Sequence, residues 1–265
     1  MKIQYCSDLH LEFPENQLWL KKNPLIPKGD ILLIGGDTHN FGPRFKDLTF
    51  WDIVSEQFKM VFVIPGNHEF YTAYDCRLGL EIGYELALRD NVFLVNNTSR
   101  VVEDVEFIFT TLWSKIETQA KAILAAMHDF KLIRYNSKRL TIAQYNALFE
   151  CSWEFLSAQI SKKTAHKKVV LTHHLPSKLC NIEKFKNSPI NEGFCVELTD
   201  EIMSSHVSHW IYGHSHGNKT PFQIGDTQML TNQLGYVAYS EIDQFQRGVV
   251  FDVGATQDFA SPHDL

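Results

Sequence analysis

No apolar run in this 265-residue chain approaches the roughly 20 residues a membrane-spanning helix needs. The opening stretch MKIQYCSDLH has no apolar core of the signal-peptide kind, so a cytoplasmic location and no membrane partner are expected. Cysteine is sparse. The five, Cys6, Cys76, Cys151, Cys180 and Cys195, are odd in number and show no CxxC spacing, which argues against a disulfide scaffold or a thiolate metal knot. A basic excess is also missing. Lys and Arg total 25 against 31 Asp and Glu, a formal charge of −6, so affinity for long phosphate backbones is possible but not favoured. No repeat, low-complexity tract or Pro/Gly/Ser-rich linker divides the chain, and a single domain over 1–265 is expected.

Short apolar runs separated by polar stretches are present instead. KIQYC, DILLIGG, MVFVIPG, VFLV, VEFIFTTLW, KVVLTHH and HWIYGHSH read as buried strands. PFQIG, TQMLTNQ and RGVVFDV read as antiparallel strands, the first two joined by a tight IGDT turn. Between 141 and 160, Ile142, Tyr145, Phe149, Trp153, Leu156 and Ile160 recur at helical spacing behind a Thr141-x-x-Gln144 capping box. Residues 47–58 and 76–90 are further predicted helices. Strands alternating with helices before giving way to hairpins indicate an α/β fold.

Five of the apolar runs end in groups that ligate metals. They are Asp8-Leu9-His10, Gly35-Gly36-Asp37, Gly66-Asn67-His68-Glu69, His173-His174 and Gly213-His214-Ser215-His216. A lone DxH or GGD is often only a turn, and a lone His is often a core residue. Their order after successive strands is harder to explain without a site, because α/β sheets build sites beyond the carboxyl ends of strands. The donors are imidazole and oxygen, which favours Mn, Fe or Zn over Ca.

The series DLH, GGD, GNHE, HH and GHSH, spanning residues 8–216, resembles the calcineurin-like metallophosphoesterase superfamily, and TNQLGY at 231–236 resembles a segment of its small bacterial members. The resemblance implies a two-sheet β-sandwich flanked by helices, a four-layer α/β/β/α arrangement. It implies two divalent or trivalent metal ions. Asp8, His10 and His216 would hold one, Asn67, His173 and His214 the other, and Asp37 would bridge them. His68 would stand near the leaving group as the general acid. Such relatives often carry an Asp three residues after the GD aspartate, where this chain has Asn40, which leaves open what orients His68. The missing Asp-Arg-Gly continuation also sets the chain apart from the protein Ser/Thr phosphatases.

The expected reaction is hydrolysis of a phosphomonoester or phosphodiester, with a small-molecule or nucleotide substrate. A nuclease of the same superfamily and a catalytically inactive scaffold are the alternatives. Asn40 and His174, next to proposed ligands, are expected to touch substrate. The stretch 113–140 is read either as solvated surface or as a substrate lip carrying Lys131, Arg134, Lys138 and Arg139. His128, His166, His206, His209 and His263 have no motif context and are expected to be structural or surface residues.

Overall fold

The computed structural model describes residues 1–72 and 74–254, so His263 lies outside the described residues. The first half of the chain lays down β1 (Lys2–Cys6), α1 (Pro14–Lys22), β2 (Ile31–Ile34), α2 (Thr49–Gln57), β3 (Met60–Val63), β4 (Tyr84–Arg89) and β5 (Val92–Asn96). Then follow β6 (Thr98–Val102), β7 (Val105–Phe109), α3 (Ala120–Ala126), α4 (Asp129–Leu132), the short pair β8 (Arg134–Tyr135) and β9 (Lys138–Arg139), and α5 (Ile142–Ser161). The remainder is β10 (Lys167–Leu171), α6 (Thr199–Ser204), β11 (Val207–Ile211), β12 (Phe222–Ile224), β13 (Thr227–Leu230) and β14 (Val250–Asp252).

Two mixed six-stranded sheets result, in the orders β14-β1-β2-β3-β5-β4 and β12-β13-β11-β10-β7-β6. Successive strand residues face opposite sides, so each central strand feeds two cores. Ile3, Tyr5, Ile31, Leu33, Phe62, Phe107, Phe109, Val169 and Leu171 fill the space between the sheets. The Phe62 ring lies 4.7 Å from that of Phe109 across this interface. Leu32, Ile34, Val61, Val63 and Val170 point outward, into the helices. This is the two-sheet sandwich flanked by helices that the family resemblance implies. The parallel strands β1, β2, β3, β10 and β11 are the ones that bring their motif-bearing ends together.

α5 forms with both halves of its capping box in place, and α2 matches its expected span. The predicted helix over 76–90 does not form. A short 3-10 turn at Cys76–Leu80 leads through Gly83, whose φ of +76° suits glycine, into the edge strand β4. There Tyr84, Leu86 and Leu88 turn inward while Glu85 and Ala87 are exposed, a period of two that a helix cannot satisfy. β12 and β13 form the expected hairpin. β14 leaves that group and pairs antiparallel with β1 in the other sheet.

Candidate metal centre

Five of the seven expected ligands occupy the left-handed backbone region: Asp8 (φ 56°), His10 (48°), Asp37 (51°), His214 (72°) and His216 (50°). That conformation costs L-residues on the order of 1 kcal/mol or more each, and it persists where surroundings over-determine it. Here the loops brace one another. Asp8 N–H donates to Gly36 O (3.0 Å) and His10 N–H to Asp37 O (2.9 Å), while His214 N–H donates to the Asp8 carboxylate (3.1 Å). The turns aim the side chains inward from neighbouring strand ends.

All seven side chains meet. Asp8, His10, Asp37 and His216 form one group with donor atoms within 4.8 Å of one another, and Asp37, His173 and His214 form a second. Asp37 belongs to both. Its Oδ2 lies 3.8 Å from His10 Nε2 and 3.5 Å from His173 Nε2, while Oδ1 accepts the His68 N–H (2.8 Å). Asn67 Oδ1 stands 3.1 Å from His173 Nε2, and the Asn67 amide is oriented by donating to Tyr71 OH (3.0 Å).

The proton positions decide what the cluster needs. His10 Nδ1 faces the Glu12 carboxylate (3.1 Å) and His216 Nδ1 faces that of Glu241 (2.7 Å), so each of these nitrogens carries a hydrogen. His173 Nδ1 donates to Gly35 O (2.8 Å), and His214 Nε2 to Gly193 O (3.4 Å). In the neutral rings the opposite nitrogens are the ones free to bind a cation. Two of them, His10 Nε2 and His216 Nε2, are 2.9 Å apart, and His173 Nε2 and His214 Nδ1 are 3.1 Å apart. Inward-facing ring nitrogens paired in this way beside two buried carboxylates need a cation or a proton between them. The second nitrogen of each ring already rests on an acceptor, as in metal-bound histidines.

Charge points the same way. Burial opposes ionisation of His173 and His216, yet Asp37 and Asp8 lift the former to about 9, and Asp8 and Glu241 lift the latter to about 10. Burial holds His10 and His214 below the ordinary histidine range. The bare cluster therefore recruits protons, and a cation must displace them on entering. Burial, then the nearby Asp37 charge, pushes Glu69 up to about 8. Glu69 accepts from the N–H groups of Asp37, Thr38 and Gly66 and so ties two of the motif loops together.

Glycine is needed where these loops touch. A Cβ at Gly66 would lie 2.2 Å from Asp37 Oδ1 and 2.7 Å from His173 Nε2. Gly66→Ala is therefore expected to push the shared carboxylate out of place and weaken metal retention by about 10- to 100-fold or more. Metal analysis after dialysis against a competing chelator checks this; wild-type retention by the variant would contradict the packing argument.

His68 sits beside the cluster at the end of β3. Its Nδ1 donates to Glu12 Oε1 (2.8 Å), and its Nε2 is 3.0 Å from Tyr236 OH. Glu12 thus supplies the orienting carboxylate that Asn40 cannot. Burial raises the Glu12 carboxyl, but His10 and His68 overcome this and hold it down at about 2. Asn40 plays a different part from the one expected of it. Its amide is taken up by His68 O (2.6 Å), and it does not line the adjoining cavity. His174 does not line the cavity either. It is fully buried, with Nε2 3.2 Å from Tyr145 OH. His128, by contrast, lines the cavity.

Glu12 and Glu241 are neighbours of the cluster that motif reading misses, and Tyr236, which closes the TNQLGY segment, receives no role from it. Asp8, His10 and Glu12 do share a spacing of two, a signal that was available in the sequence. Within 113–140, Met127, His128, Asp129 and Leu132 line the cavity, whereas Lys131, Arg134, Lys138 and Arg139 do not. Arg134 instead donates to Lys131 O, Leu132 O and Ile133 O.

A model of the calcineurin-like phosphoesterase family matches residues 1–218. An uncharacterized protein of Acanthamoeba polyphaga mimivirus is 31% identical over 281 residues, covering 91% of this chain and 97% of its own length. The crystal structure of a phosphopantetheinyl hydrolase from Mycobacterium tuberculosis superposes with a TM-score of 0.69 over 98% of both chains at 14% identity, a likeness of fold.

Proposed function

Since this chain belongs to the calcineurin-like phosphoesterases and is a metal-dependent hydrolase of phosphate esters, we propose that it works through two ions. Asp8, His10 and His216 hold one, Asn67, His173 and His214 the other, and Asp37 is shared. The observation that carries this reading is the pair of donor groups with a common Asp37 and imidazole nitrogens turned inward from both sides. The imidazole and oxygen donors suit Mn, Fe or Zn. When bound, such ions lower the pKa of water and offset charge on the phosphoryl oxygens.

The protein's own groups do the rest. Asp37 fixes the spacing of the two clusters and, through Oδ1, the backbone of His68. Glu12 keeps the His68 Nδ1 hydrogen in place, so that Nε2 is the nitrogen that carries a proton toward a leaving oxygen. Tyr236 OH stands at that nitrogen and holds the ring in line until substrate arrives. Tyr71 OH joins Asn67 to Asp129, which keeps the Asn67 oxygen facing the cluster. The substrate is a small phosphomonoester or phosphodiester. A nuclease reading has less support, because no Lys or Arg among the described residues lines the cavity at the metals.

Metal analysis of the purified chain, paired with a panel of mono- and diesters, tests the proposal. Two ions per chain and turnover of at least one ester class, abolished by chelation and restored by Mn²⁺ or Zn²⁺, are expected. One ion per chain at full activity would remove the shared role of Asp37. A metal-free chain inert toward every ester would favour a scaffold.

A further inference from the structure

The cavity beside the metal cluster encloses about 620 Å³, more than a phosphate group needs. Phe13, Met127, Leu132, Phe185, Phe194 and Tyr239 make up its apolar wall. Three of these are large apolar side chains left exposed, with Phe13 38%, Leu132 39% and Tyr239 76% accessible. Apolar side chains gathered on one opening mark a surface that something covers. No Lys or Arg among the described residues lines the wall, and its ionisable members outside the cluster include Glu15, Asp129 and Glu241. Glu241 is engaged by His216. Asp129 is different. It is 2% exposed, its Oδ2 receives Tyr71 OH (3.0 Å), and its Oδ1 has no hydrogen-bond partner. A buried carboxylate oxygen without a donor is costly unless a ligand supplies one.

We propose that the ester cleaved here carries one phosphoryl group and an uncharged, largely apolar alcohol, which fills this cavity and presents an N–H or O–H to Asp129. This rests on the phosphohydrolase reading and narrows its substrate. The residues that would hold the ions, with His68, stand at the end of the cavity where the phosphoryl group would sit. The aromatic wall removes apolar surface from water, the main source of affinity for such a body. Asp129 selects for a donor and, with Glu15, against a second anion. Nucleotides with several phosphates and oligonucleotides are disfavoured for the same reason.

Titration calorimetry of the metal-loaded protein with three phosphonates, which cannot be hydrolysed, tests the proposal. The ligands are benzylphosphonate, its 4-carboxy derivative and its 4-hydroxymethyl derivative. The carboxylated ligand should bind on the order of tenfold or more weakly than the parent, and the hydroxymethyl ligand at least as tightly as the parent. In Leu132→Arg, a cation placed on the exposed wall should close most of the gap for the carboxylated ligand. Equal or tighter binding of that ligand by the wild type overturns the proposal, as does failure of all three to bind. Neither result touches the phosphohydrolase reading, which stands or falls on metal content and ester turnover. A chain that binds the phosphonates in this order yet cleaves no ester would keep the ligand class and lose the hydrolase.

Discussion

On the proposed two-ion reading, Asp37→Asn should lose at least one ion and lower kcat/KM by about 10³-fold or more, while leaving the fold intact. The substitution keeps shape. Asparagine is among the few residues that tolerate the left-handed conformation found at position 37. Its Oδ1 can still accept the His68 N–H that Asp37 Oδ1 accepts now. What changes is the atom facing both clusters. Where Oδ2 lies 3.5 Å from His173 Nε2 and 3.8 Å from His10 Nε2, the variant places an NH₂. That group donates to the imidazole lone pairs that the ions require. It also removes one of the two carboxylate charges at the cluster. Two cations would then have to share a site with less anionic screening and no common ligand. Metal content and kcat/KM should therefore fall together, with the thermal midpoint of the metal-free protein close to that of wild type. Retention of both ions with full activity would show that Asp37 bridges nothing.

The residues that converge on the candidate centre were legible because each lies in a short contiguous motif at the end of a buried strand, and parallel strands bring such ends together. The residues that tune them were not. Glu12 is close to His10 in sequence, but its contact with His68, 56 residues away, depends on how the loops that follow β1 and β3 meet. Glu241 and Tyr236 approach the cluster from a segment of short 3-10 turns with little periodicity. The cavity was hidden for a related reason. Phe185 and Phe194 come from irregular turns between β10 and α6, and no pattern marks such residues as neighbours of Phe13. β4 shows the opposite failure. Leu86 and Leu88 already stand two apart, the alternation of a strand, and the antiparallel pairing with β5 completes it. Charge was informative in bulk but not in detail. The basic residues at 131–139 do not line the cavity, and the part of 113–140 that reaches it is mostly apolar and includes Asp129.

His68→Asn and Glu12→Gln should separate positioning from metal binding by their dependence on the leaving group. If His68 protonates the departing oxygen, its loss should cost about 10²–10⁴-fold in kcat for alkyl esters, which leave poorly as alkoxides. Nitrophenyl esters leave readily as anions and should lose far less. Glu12→Gln is the finer probe. The Gln Oε1 can take the place of the Glu12 Oε1 that accepts from His68 and His10. Its NH₂ would occupy the position of Glu12 Oε2, which has no hydrogen-bond partner. The ring is still held, but the negative charge that favours a proton on His68 is gone. In the present chain burial lowers His68, while Asp37 and Glu12 outweigh it and raise its affinity for a proton. Removing Glu12's charge therefore moves the basic limb of activity to lower pH, because the acid form of His68 is lost earlier as pH rises. The variant should show that shift on alkyl esters and little change on nitrophenyl esters, with metal content near wild type. A uniform loss on both ester types would place Glu12 with the metals through His10, and would leave His68 without its assigned proton.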